Sequence, residues 1–333
     1  MPDAYETQEI DPGIHRISLE MAGQLPEPVS GARNIYLLDG EAPALVNAGH
    51  PSQLQSLSKA LHSLDVDVTD IQRVLYTSWS IDILGGAKNF PGIDHFVYSP
   101  DMVRPRHYQS IVGQRRRRLF DFADDLLERD AFSDENRSDL EAFAEDYFLP
   151  VPSKLDFVPV RAGHVVRAGD FKLEVIASPG PDSGHVCFWE ADREILFTGD
   201  ISLSGLPHRL EDVQSYFVSL ERLIEFESDR VLPNRGRPRK RGSWTLQGAH
   251  RFINNFMSNA PQAMYEDPTL IEFAERDWGE RPDDFAETVL KMEIYRALME
   301  ELVRSKMIEA EGSGLDRRYG TDVDDPRETI RKI

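Results

Sequence analysis

Apolar residues in the first hundred positions alternate or cluster as they do in β-strands, with one helical segment among them. "PSQLQSLSKALHSLDV" repeats its apolar residues at helical spacing, and its first residue, Pro51, suits a first helical turn. The pattern therefore predicts strand pairs, followed by a helix and further strands. The segments predicted as strands are "GIHRISLEM", "NIYLLDG", "PALVNAG", "IQRVLYTS" and "HFVYSP".

The pattern changes to helix from Asp101 to about Leu149, where Arg, Asp and Glu are frequent. Four consecutive arginines, Arg115 to Arg118, cannot share one helix face, so we predict a solvated helical insert with ion pairs to nearby aspartates. A lid or a dimer element is the alternative. Strand patterns then resume, and two helical patterns close this half. The resumed strands are "DFVPVRAGHVVRAGDFKLEVIASPG", "HVCFWEA" and "EILFTGD".

The last seventy or so residues predict two or three helices and then two short strands joined by a glycine turn. We therefore expect a main domain over residues 1–262, which includes the insert at about 101–149, and an extension over 263–333. The final residues, "TDVDDPRETIRKI", predict a loose tail.

Composition narrows the classes of function. The chain has 333 residues, of which 40% are hydrophobic, and its formal net charge is −20, which argues against nucleic acid as a partner. No apolar run approaches the ~20 residues of a membrane helix, so we expect no membrane partner. The single cysteine, Cys187, excludes a disulfide within the chain. With a first segment that lacks a secretory pattern, this predicts a cytoplasmic protein with a buried, inert thiol.

Four blocks in this order resemble the metallo-β-lactamase superfamily, over roughly residues 13–262. The resemblance implies an α+β fold, an αββα sandwich with its site on loops along one edge of two sheets. The extension resembles the small winged-helix appendage of one branch of that family, although its longest helix lacks a basic face, so packing or homodimer formation is its expected role. The blocks are "NIYLLDGEAPALVNAG", "LYTSWSIDILGGAKNF", "GDFKLEVIASPGPDSGHVCFWEADREILFTGD" and "VLPNRGRP".

The positions where the family carries metal ligands depart from its pattern. The family motif Thr-His-x-His-x-Asp-His-x-Gly-Gly keeps its aspartate here as Asp82, and the bridging aspartate is kept as Asp200. The five family histidines are replaced, and the aspartate of the opening strand reads Asn47. The replacing residues are Ser78, Ser80, Ile83, Pro181 and Arg235.

These departures imply a member of the family without its metal site and without any other cofactor. Zinc and iron in such sites need imidazole nitrogens as well as carboxylates, and two aspartates would otherwise repel each other in a cleft. We therefore predict that Arg235 forms a salt bridge with Asp82, Asp200 or both, in the place of the metals. The expected function is binding of a small anionic or acyl ligand, or of a partner protein, without metal-dependent hydrolysis.

The alternative is a hydrolase of an ester, thioester or lactone that works without the usual binuclear centre. Ser80, His185 and Asp200 offer the residue types of a serine triad, although no Gly-x-Ser-x-Gly elbow is present. An atypical metal on Asp82 and Asp200 would resemble hydrated Mg²⁺ or Ca²⁺.

Further residues are expected to contact the ligand. Arg237 belongs to the basic segment "NRGRPRKRGSW", which predicts an anion site together with Arg235. Ser78 and Asn47 occupy former ligand-side positions, and Trp79 is expected to form an aromatic wall. Loop histidines that would line the cleft are His50, His164 and His208.

Overall fold

The computed structural model describes residues 5–21, 31–100, 134–147, 157–264, 267–278, 285–313 and 317–320, with parts of a helix between residues 113 and 124. Most of the predicted insert at 101–149, including Arg115 and Arg118, lies outside the described residues, as does the predicted tail.

A seven-stranded sheet contains the strands of the first half in chain order. Its first four strands pair antiparallel and its last four pair parallel. The strands are β1 (Tyr5–Asp11), β2 (Ile14–Leu19), β3 (Arg33–Leu38), β4 (Ala44–Val46), β5 (Arg73–Leu75), β6 (Asp94–Tyr98) and β7 (Phe157–Val160).

A second sheet of six strands has the order β13-β12-β11-β10-β9-β8. All its pairs are antiparallel except β11 with β12, which run parallel. The strands are β8 (Val165–Ala168), β9 (Phe171–Ala177), β10 (Val186–Glu190), β11 (Ile195–Gly199), β12 (Arg230–Pro233) and β13 (Arg239–Lys240).

Helices cover the outer faces of the sheets: α1 contacts β1 and β2, and α5 contacts β12 and β13. The helices are α1 (Leu54–His62), α2 (Ile81–Leu84), α3 (Asp134–Tyr147), α4 (Val213–Ile224), α5 (Gly242–Asn259), α6 (Leu270–Trp278) and α7 (Phe285–Arg304). Within the residues that the structure describes, α3 alone represents the predicted insert over a continuous stretch.

The core has two parts that match this layering. One cluster contains strand residues from both sheets, such as Tyr36 and Phe197, whose rings meet edge to face with centroids 5.4 Å apart. A larger cluster joins the outer sheet faces to the helices. Central strands β10 and β11 are buried at every position because both of their faces are covered, whereas β8 alternates exposed and buried residues. The arrangement is an αββα sandwich, as the resemblance implied.

The extension after α5 consists of α6, α7 and a two-stranded antiparallel sheet, β14 (Glu309–Glu311) with β15 (Arg318–Gly320). Helix α7 contacts α3, α4 and α6, and its buried residues belong to the same cluster as the outer sheet faces. Two helices and a short hairpin follow the order predicted from the sequence. The winged-helix likeness and a boundary at residue 262 stay predictions.

Gly49 and Gly86 fix the loop that follows α2. The N–H of Gly86 donates to the carbonyl of Gly49 at 2.8 Å. A Cβ on Gly86 would lie 2.1 Å from the carbonyl oxygen of Ala48, which is far inside van der Waals contact. Backbone approach of this kind requires glycine, and it holds α2 against the end of β4.

We expect Gly86→Ala to destabilise the protein by about 2–3 kcal/mol, because backbone must move to admit the methyl group. Gly248→Ala is the matched control: Gly248 lies within α5 with open space around its Cβ position. That change should be neutral or stabilise by about 0.5–1 kcal/mol. Urea unfolding of both variants measures the difference, and equal stability of the two would contradict this account of the loop.

Candidate functional site

Two buried aspartates lie where the strand ends of the two sheets meet. Asp82 is in α2, which follows β5, and Asp200 directly follows β11. The guanidinium of Arg209 contacts both carboxylates: Nη2 is 3.6 Å from Asp82 Oδ1 and Nη1 is 3.3 Å from Asp200 Oδ2. One arginine therefore bridges the two retained acidic residues of the family pattern.

Asp82 is surrounded by further positive charge. The Nε of Arg33, at the first residue of β3, donates to Asp82 Oδ2 at 2.8 Å, and both side chains are buried. Arg235 Nη2 contacts the same oxygen at 3.3 Å. The Ser80 hydroxyl donates to Asp82 Oδ1 at 2.5 Å. The salt bridge predicted between Arg235 and an aspartate is thus present, with Arg33 as a second and closer partner.

Asp200 is held mainly by hydrogen bonds from the polypeptide around it. Asn234 Nδ2 donates to Asp200 Oδ1 at 2.9 Å, and the backbone N–H of Asp200 donates to His185 Nε2 at 2.9 Å. His208 Nε2 lies 3.9 Å from Asp200 Oδ1. Every oxygen of the two carboxylates therefore faces a donor or a cation.

Burial and charge act in opposite directions on these acids. Burial alone would raise the pKa of Asp82, but the charges of Arg33, Arg209 and Arg235 outweigh it and hold that pKa well below its usual range. The pKa of Asp200 is likewise lowered against the effect of burial, by the neighbouring His208 imidazole and the charge of Arg209. Both aspartates are ionised at neutral pH.

His208 is neutral at the same pH. Burial, reinforced by the charge of Arg235, lowers the pKa of His208 to about 4, although Asp200 favours its protonated form. The five charged groups of this cluster are Arg33, Arg209, Arg235, Asp82 and Asp200. Three positive charges face two negative charges, so the cluster itself has an excess of positive charge.

The structure does not join Ser80, His185 and Asp200 in the hydrogen-bond chain of a serine triad. His185 is fully buried, its Nε2 accepts from the backbone of Asp200, and its Nδ1 lies 2.9 Å from both the hydroxyl and the carbonyl of Ser178. Ser80 donates to Asp82 instead. Nε2 of His185 thus ties the loop before β10 to the end of β11, and Nδ1 closes that loop on Ser178.

The other residues expected at the ligand hold loops together. The Ser78 hydroxyl donates to Asp182 Oδ2 at 2.5 Å, and Asp182 Oδ1 accepts from the N–H of Gly184. Trp79 is buried and meets the ring of Phe157 at 5.7 Å between centroids. It packs in the core and is not an exposed aromatic wall.

Asn47 also ties two strand ends. It adopts a positive φ of 68°, and its side-chain Oδ1 accepts from both the N–H and the hydroxyl of Thr77 at 3.0 Å. Its buried amide keeps the loop after β5 in place. Of the three loop histidines, His50 caps the turn before α1 and His164 contacts Arg161, so His208 is the one that reaches the aspartates.

A cavity of about 650 Å³ opens beside the cluster. His208, Arg235 and Arg237 line it, as does α7 of the extension. Among the described residues the lining contains five basic side chains and no acidic one, in a chain whose net charge is −20. The basic residues are Arg16, Arg235, Arg237, Arg239 and Lys291.

The residues present do not fit the metal centre that the fold family implies. Among the described residues, no three His, Cys, Asp or Glu side chains converge as a metal site. The two aspartates that remain already face guanidinium groups, and a divalent cation there would be repelled by Arg33, Arg209 and Arg235.

Arg33 and Arg209 are the site residues that sequence reasoning missed. Arg33 directly precedes the apolar run "NIYLL". A charged residue at a buried strand is rarely buried without a partner, so this position could have indicated a paired arginine. Arg209 lies in a loop after β11, where nothing in the local pattern marks it.

A family model described as the metallo-beta-lactamase superfamily matches residues 29–235, so this chain belongs to the metallo-β-lactamase superfamily. Two solved structures share the fold. A β-lactamase domain protein from Burkholderia ambifaria has a TM-score of 0.76 at 18% identity, with 96% of each chain covered. A metallo-β-lactamase family protein from Thermus thermophilus has a TM-score of 0.71 at 18% identity, with 94% of this chain and 100% of that chain covered. The predicted superfamily and αββα fold are confirmed.

Curated relatives match over shorter stretches. Acyl-coenzyme A thioesterase MBLAC2 from Gallus gallus is 32% identical over 114 residues, which cover 33% of this chain and 39% of that protein. The Homo sapiens protein of the same name is 33% identical over 103 residues, covering 29% and 36%. The chain thus spans less than two fifths of the length of these relatives. Within the described residues, no helix combines the length and apolar character needed to cross a membrane.

Arg33 should matter most for stability. Arg33→Ala would remove the closest and fully buried partner of Asp82, leaving only the longer contacts with Arg209 and Arg235, and should cost about 3–5 kcal/mol. Arg235→Ala should cost about 1–2 kcal/mol because Arg33 remains. The exposed Arg237 is the control, and Arg237→Ala should stay within about 0.5 kcal/mol of the parent. Denaturant unfolding measures all three. The double variant Arg33→Met, Asp82→Asn should be more stable than Arg33→Met, because it also removes the buried charge that has lost its closest partner. If the double variant is no more stable than Arg33→Met, this account of Asp82 is contradicted.

Stability should also depend on pH through His208. Folding lowers the pKa of His208, so the unfolded chain takes up the proton before the folded chain does as the pH falls. Above the ordinary histidine value near 6.5, His208 is neutral in both states and the folded state keeps its full stability. The free energy of unfolding then decreases as the pH falls from about 6.5 to about 4. Across this window His208→Gln should lose roughly 2 kcal/mol less stability than the parent. Unfolding at a series of pH values tests this, and parallel curves would rule it out.

Proposed function

We propose that this chain is a metal-free member of the superfamily that binds a small anionic or acyl ligand in the basic cavity beside Asp82 and Asp200. The observation that carries the proposal is the lining of that cavity: five basic side chains and no acidic one among the described residues. A concave site of this size is suited to a small ligand, since ligand pockets commonly measure about 300–1,000 Å³.

The arginines support an anion as the ligand because of how they are held. Arg235 is anchored on Asp82 yet lines the cavity, so its position is fixed before a ligand arrives. Arg237 and Arg239 are exposed at the same cavity, and within the described part of the chain no carboxylate lies within ion-pair distance of either. A carboxylate or phosphate could accept hydrogen bonds from their planar guanidinium groups.

The names of the relatives favour an acyl ligand over other anions. The matched MBLAC2 proteins are named acyl-coenzyme A thioesterases. A coenzyme A thioester combines phosphate groups with an acyl chain, and this chemistry agrees with a basic cavity that also has apolar walls.

Hydrolysis of an ester, thioester or lactone without the usual metal centre is the second candidate. His208 favours it, because its neutral imidazole lines the cavity beside the ionised Asp200 and can accept a proton, although a pKa of about 4 makes it a weak base. Ser80 is a weaker candidate nucleophile: its hydroxyl donates to Asp82, whose low pKa makes that carboxylate a poor base.

Binding is tested by adding phosphate, coenzyme A or octanoate to protein treated with EDTA and measuring the melting temperature. We expect a concentration-dependent rise, since a ligand that binds only the folded state stabilises it. Combining Arg237→Ala with Arg239→Ala should weaken the effect at least about tenfold, the loss of about 1.4 kcal/mol expected for charged hydrogen bonds. Lys172→Ala, which removes an exposed charge on β9, should leave it unchanged.

Release of free thiol from octanoyl-coenzyme A separates the two candidates. Binding without thiol release supports the binding protein. Turnover by the EDTA-treated protein that is lost in His208→Gln would support the hydrolase. If the melting temperature does not rise with phosphate, coenzyme A or octanoate, the proposed function is contradicted.

A further inference from the structure

One part of the cavity wall is apolar and is built by the extension together with a loop of the sandwich. The loop after β11 contributes four apolar residues, and α7 contributes two more. These residues are Ile201, Leu203, Leu206, Pro207, Ile294 and Tyr295.

Helix α7 presents this wall in a fixed position. The ring of Tyr295 packs edge to face against Phe256 of α5 and Phe273 of α6, and its hydroxyl donates to Asp277. The polar end of Tyr295 is thereby engaged, and its largely buried ring adds apolar surface at the edge of the cavity. Ile294 is buried beside it. Three helices therefore hold the apolar wall.

The basic and apolar parts of the lining come from different elements. Arg235, Arg237 and Arg239 come from the segment between β12 and the end of β13, whereas the apolar residues come from the loop after β11 and from α7. The basic residue of α7, Lys291, pairs with Glu287 at 2.5 Å, which offsets its charge. Helix α7 thus contributes mainly apolar surface to a cavity whose charge comes from elsewhere.

We infer that the ligand is an amphiphilic anion, with a carboxylate or phosphate group at the arginines and an acyl chain packed against α7, so that the extension sets the selectivity for chain length. This inference rests on the proposed function. A purely polar anion would leave the partly exposed Leu203 and Leu206 in contact with water, whereas an acyl chain would bury them. Ile294 and Leu206 become specificity-determining residues from the two sides of the wall.

Calorimetric titration with butanoate, octanoate and dodecanoate tests the inference. Each methylene that enters the cavity should tighten binding about fourfold, the equivalent of about 0.8 kcal/mol. Ile294→Trp and Leu206→Trp should each fill the apolar part from opposite walls. We expect dodecanoate to bind at least about tenfold more weakly to both variants, with butanoate little changed.

Leu290→Trp is the matched control, because Leu290 lies on the same helix at a half-buried position and does not line the cavity. It should keep the dependence on chain length. The variant in the loop, Leu206→Trp, keeps the test decisive if Ile294→Trp does not fold. Octanoyl-coenzyme A measured against octanoate distinguishes the source of the acyl group: tighter binding of the thioester indicates a carrier-bound chain, and equal or weaker binding indicates a free acid.

The two proposals fail in different ways. If phosphate and butanoate bind but affinity does not change with chain length, the inference about α7 is overturned and the anion site stands. If dodecanoate binding is equally weakened by Leu290→Trp, the wall is not where we place it. If no anion of either series binds, the proposed function itself is lost.

Discussion

The pairing of two buried aspartates with three arginines is the interaction on which the site depends. Asp82 and Asp200 sit where the ends of the two sheets meet, and each would be costly to bury as an unpaired charge. Arg209 bridges them, while Arg33 and Arg235 contact Asp82. Both aspartates retained from the family pattern are thus in contact with arginine side chains of this chain.

This pairing has consequences for the surface above it. Arginine keeps its charge at every physiological pH and can contact two partners at once through its planar group. Arg235 therefore fastens the loop after β12 to α2 and still lines the cavity. Buried ion pairs stabilise weakly in net terms, because desolvation consumes most of the Coulomb gain. Their main effect here is to fix the positions of charges that face a ligand.

The fold and part of the site could be predicted from the sequence. Strand patterns and the four ordered blocks were sufficient for the αββα sandwich, and the substitution at Arg235 was sufficient to predict its salt bridge. Arg33 was not predictable in the same way, since it does not stand at a ligand position of the family pattern that would place it beside Asp82. Local pattern shows neither which loop folds over a site nor which polar side chain is buried.

The roles of Trp79 and His185 show the same limit. Both residues stand in the family blocks at positions beside the site, but burial directs their side chains into the structure, where they hold loops. The contribution of α7 to the cavity wall could not be predicted from the sequence either, because it depends on how the extension packs on the sandwich.

Calorimetric titration of the purified, EDTA-treated chain with Zn²⁺ and Fe²⁺ tests the central claim most directly. If the arginines stand in the place of the metals, neither ion should bind stoichiometrically, and EDTA should leave the melting temperature unchanged. Tight stoichiometric binding of zinc or iron that Asp82→Asn or Asp200→Asn abolishes would contradict the account.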